Sequence, residues 1–399
     1  MRKGKLSGVI VAFVLVASLI ISLVAGACAP AAPEEVSEEV AELEAEIADL
    51  EDELAAKDSE ISGLEGDIDD LEDEIAALKK PAKVYRWEPS TWVHAGTPWD
   101  FLVYFSEYIE EMSEGRIVST PSAVGAICPA EELMEAVSDG TTGAMLPTPS
   151  YYAGKFPIAA LYNSSIGLPT WVHELNCYET FKDGRAFELY QQEAEKIYNV
   201  EVVGERIGPI DIVLASNVPI PDLAALSGMK FRCGDNHIVA GLDGAGGSTV
   251  WAPGSEIYTM MATGVVDAFT YGSAYDYWGM SFHEVTKYWL RTPSLMGAAN
   301  EQFVVGRDIW NEMGDDLKSM VTTALVAANG RSAAEGEYLI EAAWKDAIDY
   351  GIIEVNWTAE DGATWVGYQL EWMQQFADDP AAGEFIEIVK EYAEFMGIL

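Results

Sequence analysis

The chain predicts an α/β body of two lobes, preceded by an α-helical coiled-coil segment. Three observations lead there. Residues 34–78 carry apolar side chains in alternating steps of four and three, the heptad pattern of a helix with a partner seam. From Val84 onward, strand-like runs alternate with amphipathic helical runs, which implies parallel pairing in a doubly wound sheet. The stretch 84–399 is long for one layer and suits two lobes.

The first element is a leader. Arg2, Lys3 and Lys5 precede an apolar run from Val9 to Val24, and small residues follow. Leu23-Val24-Ala25-Gly26-Ala27-Cys28 resembles the bacterial lipoprotein cleavage box. That resemblance implies a signal peptide over 1–27, acylation of Cys28, and a protein tethered outside the cytoplasm. The other reading is an uncleaved N-terminal helix, since the run approaches spanning length. Ala29-Pro30-Ala31-Ala32-Pro33 then reads as a spacer over 28–33, because proline does not continue a helix.

Residues 34–80 read as an acidic stalk. Val40, Ile47, Leu54, Ile61, Ile68 and Ile75 fall at a; Leu43, Leu50, Leu64, Leu71 and Leu78 fall at d; Lys57 is the charged seam position. A β-branched a position with Leu at d favours a parallel dimer. The rims oppose it. Glu44, Glu46, Glu51, Glu53, Asp58, Glu60, Glu65, Asp67, Glu72 and Glu74 occupy every e and g site, so a homodimer meets like charge on both sides. Gly63 and Gly66 each cost about 1 kcal/mol of helix stability. A single charged spacer helix is the competing reading. Pro81 ends the segment.

The body opens with a strand at Val84-Tyr85-Arg86-Trp87. A helix follows, with Thr97 as N-cap and Pro98 at the first helical position. Phe101, Tyr104, Phe105, Tyr108, Ile109 and Met112 share one face, and Gly115 stops it. Further strands are expected from Arg116-Ile117-Val118 and at 142–146, 200–205, 209–215, 228–233 and 265–270. From about 308 the chain reads as mostly helical, with Trp344, Trp357, Trp365 and Trp372 as packing residues. Gly241, Gly244, Gly246 and Gly247 read as a mobile loop, lacking dinucleotide or Walker spacing.

Composition excludes several classes. The formal net charge is −43, so the chain will not hold nucleic acid or an anionic membrane through its own charge. No nucleophile–base motif is present, so an enzyme is not expected. The histidines His94, His173, His237 and His283 are scattered, and neither a metal nor another cofactor is implied. Beyond Cys28, Cys128, Cys177 and Cys233 allow one disulfide whose pairing is open.

Five segments in order carry a family resemblance. They are Ser150-Tyr151-Tyr152-Ala153-Gly154-Lys155, Gly167-Leu168-Pro169, Leu226-Ser227-Gly228-Met229-Lys230-Phe231-Arg232, Gly254 to Ala268, and Phe282-His283-Glu284-Val285-Thr286-Lys287-Tyr288. The set resembles the extracytoplasmic solute receptors of tripartite ATP-independent periplasmic (TRAP) transporters, in particular the branch that binds 2-oxo acids and related monocarboxylates. The resemblance covers 84–399. It implies a two-lobed, type II periplasmic-binding-protein-like fold closing on a small organic acid anion. It also implies delivery to the membrane subunits of a TRAP permease driven by an ion gradient. Arg232 falls where the family's carboxylate-binding arginine stands, and a guanidinium suits a carboxylate because it offers a bidentate fork.

The chain departs from that branch at its cation ligands. Thr270-Tyr271 stands in place of Glu-Trp, the lobe-crossing glutamine is replaced within Gly208-Pro209-Ile210-Asp211, and a later glutamate is missing near Met296. Hard cations need anionic or carbonyl oxygens, so these changes count against a bridging metal. Asp211 is then expected to compensate or to bind a ligand hydroxyl. Tyr151, Tyr152, Trp251, Tyr271 and Trp278 are expected to line an enlarged pocket. The second reading is a membrane-tethered interaction protein working through its acidic coiled coil, with a degenerate binding domain.

Overall fold

The computed structural model describes residues 34–78, 83–163, 168–211, 213–292 and 298–398. The leader 1–27, Cys28, the spacer to Pro33 and Met296 lie outside the described residues. Two units result, residues 1–82 and 83–399. In the first, one helix runs over Glu34–Leu78, continuous through both glycines. Its seam residues Leu43, Leu50, Leu64 and Leu71 are exposed. Among the described residues, no helix is long and apolar enough to cross a membrane.

The body has a mixed sheet arrangement where sequence patterning implied a parallel one. Strands β1 (Tyr85–Trp87) and β2 (Ile117–Ser119) do pair in parallel around the helix Thr97–Met112. That helix is capped one residue earlier than expected: Gly96 is its N-cap, with φ 96°, and Thr97 is already helical. A Cβ on Gly96 would collide with the Asp276 carboxylate, so the start of this helix has room only for glycine.

The first lobe centres on β3 (Ala144–Met145), β10 (Ala298–Gly306) and β4 (Val200–Pro209), paired antiparallel in the order β3-β10-β4. Strand β10 is buried at every position, as a strand covered on both faces must be. Phe303 and Val305 join one core with Phe101, Phe105 and Leu325; Val304 joins another with Tyr162, Tyr190 and Phe385. This is the period-2 alternation of a pleated strand.

The second lobe holds β5 (Val213–Ser216), β6 (Lys230–Arg232), β7 (Ser248–Val250), β8 (Ala268–Phe269), β9 (Tyr288–Arg291) and β11 (Ile353–Val355), in the order β11-β9-β5-β8-β6-β7. The same alternation builds its layers. Leu214, Ala268 and Leu290 face one core; Ala215, Phe269 and Trp289 face the other. The chain passes between lobes from β4 to β5 and from β9 to β10. The helix Asp315–Tyr350 serves both: Leu317 to Ala328 pack in the first lobe and Ile340 to Ala347 in the second. At 1.5 Å per residue it is about 54 Å long.

Gly241 and Gly244 are not loop residues. They sit in the helix Asn236–Gly244, where a Cβ would lie 2.5 Å from the Trp365 ring and 2.4 Å from that of Tyr368. They permit close packing against the helix Ala359–Met373.

Candidate ligand cleft

Between the lobes lies a narrow cleft, with a volume of about 20 Å³ open to the centre of a water-sized molecule. Its walls come from seven separated stretches: Trp92; Thr148, Ser150 and Tyr151; Asn163; Ile210; Arg232, Gly234 and Asp235; Tyr271; and Ala299 and Glu301. The second lobe offers the carboxyl ends of β6 and β8, the usual ligand edge of an α/β sheet.

Arg232 closes β6 and is 1 % exposed. Its Nε donates to the Ala252 carbonyl at 2.8 Å and its Nη1 to the Thr270 carbonyl at 2.7 Å. The guanidinium faces the Tyr271 ring at 5.5 Å and lies beside the Tyr151 phenol. A Cβ on Gly234 would press on Nη2 at 3.1 Å, so glycine leaves that end of the fork open. Two fixed carbonyls orient the cation, which lines the cleft. Its direct partners are neutral and Asp235 is the nearby acid, so an incoming carboxylate shares the Arg232 charge with Asp235.

Around it the cleft is rigid. Tyr271 is seated by Gly254, whose Cβ would fall 2.3 Å from the ring. Trp92 meets Tyr271 edge-on at 5.0 Å and donates its Nε1 to Glu301 Oε1 at 2.9 Å. Glu301 is fully buried, and its Oε2 pairs with Arg206 Nη1 at 3.0 Å from the facing position of β4. Arg206 Nη2 in turn donates to Thr97 Oγ1 at 2.5 Å. Burial pushes the Tyr151 phenol up to about 12, so it remains a neutral donor.

On the opposite wall Thr148 Oγ1 donates to Asn163 Oδ1 at 2.7 Å, and Asn163 Nδ2 donates to Asp235 Oδ1 at 3.0 Å. Ser150 lies beside Asp235. Asp235 keeps some exposure to the cleft, yet close packing pushes its carboxyl up to about 6, opposed by the Arg232 charge.

Of the expected site residues, Arg232, Tyr151 and Tyr271 come together here. Trp251 stands at the rim, 50 % exposed, edge-on to Tyr151 at 6.2 Å. Tyr152 does not line the cleft: its hydroxyl accepts from the Met134 amide at 3.1 Å inside the first lobe's core. Asp211 is also elsewhere. It accepts from the Ala274 amide at 3.1 Å and from Trp344 Nε1, and it borders a separate groove with Trp171, Arg291 and Glu341. Burial pushes it up to about 6. Trp278 stacks on His283 at 4.0 Å, away from the cleft residues. Thr270 turns its hydroxyl to Cys233 Sγ at 3.2 Å. Cys128, Cys177 and Cys233 are free thiols. Trp92, Thr148, Asn163 and Glu301 were not foreseen. Among the described residues, no group of three His, Cys, Asp or Glu side chains is placed to hold a metal ion.

The family model for bacterial extracellular solute-binding protein, family 7 (DctP) matches residues 90–379. The chain belongs to this family. It is thus a TRAP-type solute-binding protein, and solute-binding receptors are not an enzyme class. The monocarboxylate 2-oxoacid-binding periplasmic protein of Nostoc sp. (strain PCC 7120) is 25 % identical over 229 residues, which is 55 % of this chain and 59 % of that relative's length. A TRAP transporter solute-binding protein from Bordetella bronchiseptica RB50, with copurified calcium and picolinate, superposes with a TM-score of 0.70 at 17 % identity, over 79 % of this chain and 93 % of that one. A TRAP periplasmic solute-binding protein from Desulfovibrio salexigens, with bound orotic acid, also gives 0.70 at 17 %, over 79 % and 100 %. At such identity these structures establish the two-lobed fold of the receptor body.

Proposed function

We propose that this receptor captures a small organic acid anion, a carboxylate related to the 2-oxo acids, by closure of its lobes, and does no chemistry on it. Arg232 takes the carboxylate, Tyr151 donates a further hydrogen bond, and Tyr271 and Trp92 enclose the carbon skeleton. The observation that carries this reading is the buried Arg232 guanidinium, held by two carbonyls and lining the cleft. The relatives' printed ligands, picolinate, orotate and 2-oxoacids, are all carboxylates and support it. A bridging cation has no part in it, because Glu301 is already taken by Arg206 and Trp92 and the Thr270 hydroxyl points away.

The same proposal places the protein outside the cytoplasm, anchored by lipid on Cys28, with the helical segment as an acidic stalk. From there it hands its cargo to the membrane subunits of a TRAP permease. A purely interaction-based role is disfavoured by a cleft so fully built. Calorimetric titration with organic acids tests the reading. Arg232→Lys keeps the charge and loses the fork. Losing a buried charged hydrogen bond costs about 2–5 kcal/mol, so affinity should fall at least about thirtyfold. Equal affinity in the variant would refute the assignment.

A further inference from the structure

We propose that Asp235 sets the ligand class: the cleft selects monocarboxylic acids that carry a hydroxyl or N–H donor near the carboxylate, over 2-oxo acids and dicarboxylates. This rests on the reading that Arg232 holds a ligand carboxylate.

The charges in the cleft lead to it. Arg232 is the one cation among the described lining residues, and Asp235 and Glu301 are the acids. Glu301 is neutralised from behind by Arg206, and its other oxygen is covered by the Trp92 indole. A ligand carboxylate on Arg232 shares that one positive charge with Asp235. Asp235 is then left as an acceptor-only group beside the bound ligand.

The placement of Asp235 is not explained by its helix. It is the N-cap of Asn236–Gly244, a position that favours Asp, yet its side chain makes no cap hydrogen bond. It crosses instead to Asn163 of the first lobe. Thr148 fixes the Asn163 amide so that its nitrogen, not its oxygen, faces Asp235. That nitrogen is a donor, which holds Asp235 as an acceptor. A ligand hydroxyl or N–H completes its shell. A keto oxygen or second carboxylate brings acceptor against acceptor, and a site built for a hydrogen-bonded group rejects analogues that lack it.

Protonation should relax the choice. Asp235 is faced by Arg232, Glu301, Tyr151, Ser150 and Asn163, and burial pushes its carboxyl up to about 6. Below that pH it carries a proton and becomes a donor itself.

The test is calorimetry on the full-length protein with matched acids: lactate and pyruvate, 2-hydroxyisovalerate and 2-oxoisovalerate, mandelate and phenylglyoxylate, and succinate. At pH 7.5 the hydroxy member of a pair should bind at least about tenfold tighter than its oxo partner and than succinate. In Asp235→Asn, or at pH 5, the ratio should shrink below about threefold. An oxo acid or succinate that binds as tightly as the hydroxy acid at pH 7.5 overturns the inference, as does a ratio that Asp235→Asn leaves unmoved. Failure of every acid to bind contradicts the receptor reading itself, and this inference with it.

Discussion

Arg206 and Glu301 show how much of the cleft depends on side chains that no ligand touches. They face each other across β4 and β10, both buried, and Glu301 also anchors the Trp92 indole. Breaking a buried pair strands the other charge and costs about 3–5 kcal/mol, whereas replacing both charges by apolar groups is far milder. Arg206→Met should therefore destabilise more than the double variant Arg206→Met/Glu301→Leu, by chemical denaturation. The reverse order would mean that the pair itself is a net source of stability. Arg232 was legible through the family resemblance, because it falls where the family's carboxylate-binding arginine stands. Sequence reading met Asp235 only as a nearby acid that could pair with Arg232, and three residues of spacing could not show that its side chain reaches Asn163 in the other lobe. Nor could it separate Tyr151 from Tyr152. They are neighbours on the short turn Pro149–Tyr152, where no periodicity says which ring faces the cleft and which the core.

Among elements, the helix Glu34–Leu78 was legible almost whole, since a heptad pattern shows in the sequence without any tertiary partner. Its partner was not legible, because the seam asks for one and the acidic rims oppose a second copy. Dimerisation of a 34–80 peptide should therefore be weak at neutral pH and low salt. It should strengthen with added salt, which screens over about 8 Å at 0.15 M, and with acidification toward about pH 4, where glutamate side chains in general take up protons. Sedimentation and circular dichroism check this; a dimer at neutral pH and low salt that neither salt nor acid alters would show that the rims do not govern association. The glycines of Asn236–Gly244 were misread for the opposite reason. Their role is set by Trp365 and Tyr368, more than a hundred residues away, and local composition carries no trace of that.

At the scale of the whole molecule, the alternating patterns correctly announced an α/β body, and the mixed pairing of its sheets was hidden. Strand direction depends on which strands cross between lobes, and β4, β5, β9 and β10 do so through short links. Those crossings bring residues as far apart as Trp92 and Glu301 into one cleft. They also explain why a ligand site was predictable as a class before most of its walls were. The central claim is that this cleft holds an organic acid on Arg232. Native mass spectrometry of the full-length protein as purified, compared with Arg232→Lys, tests it most directly. The account predicts a small acid retained by the wild-type protein, released on denaturation and absent from the variant. A wild-type protein that carries no acid and gains none on incubation with the carboxylates above, or a variant that retains the same acid equally well, would contradict it.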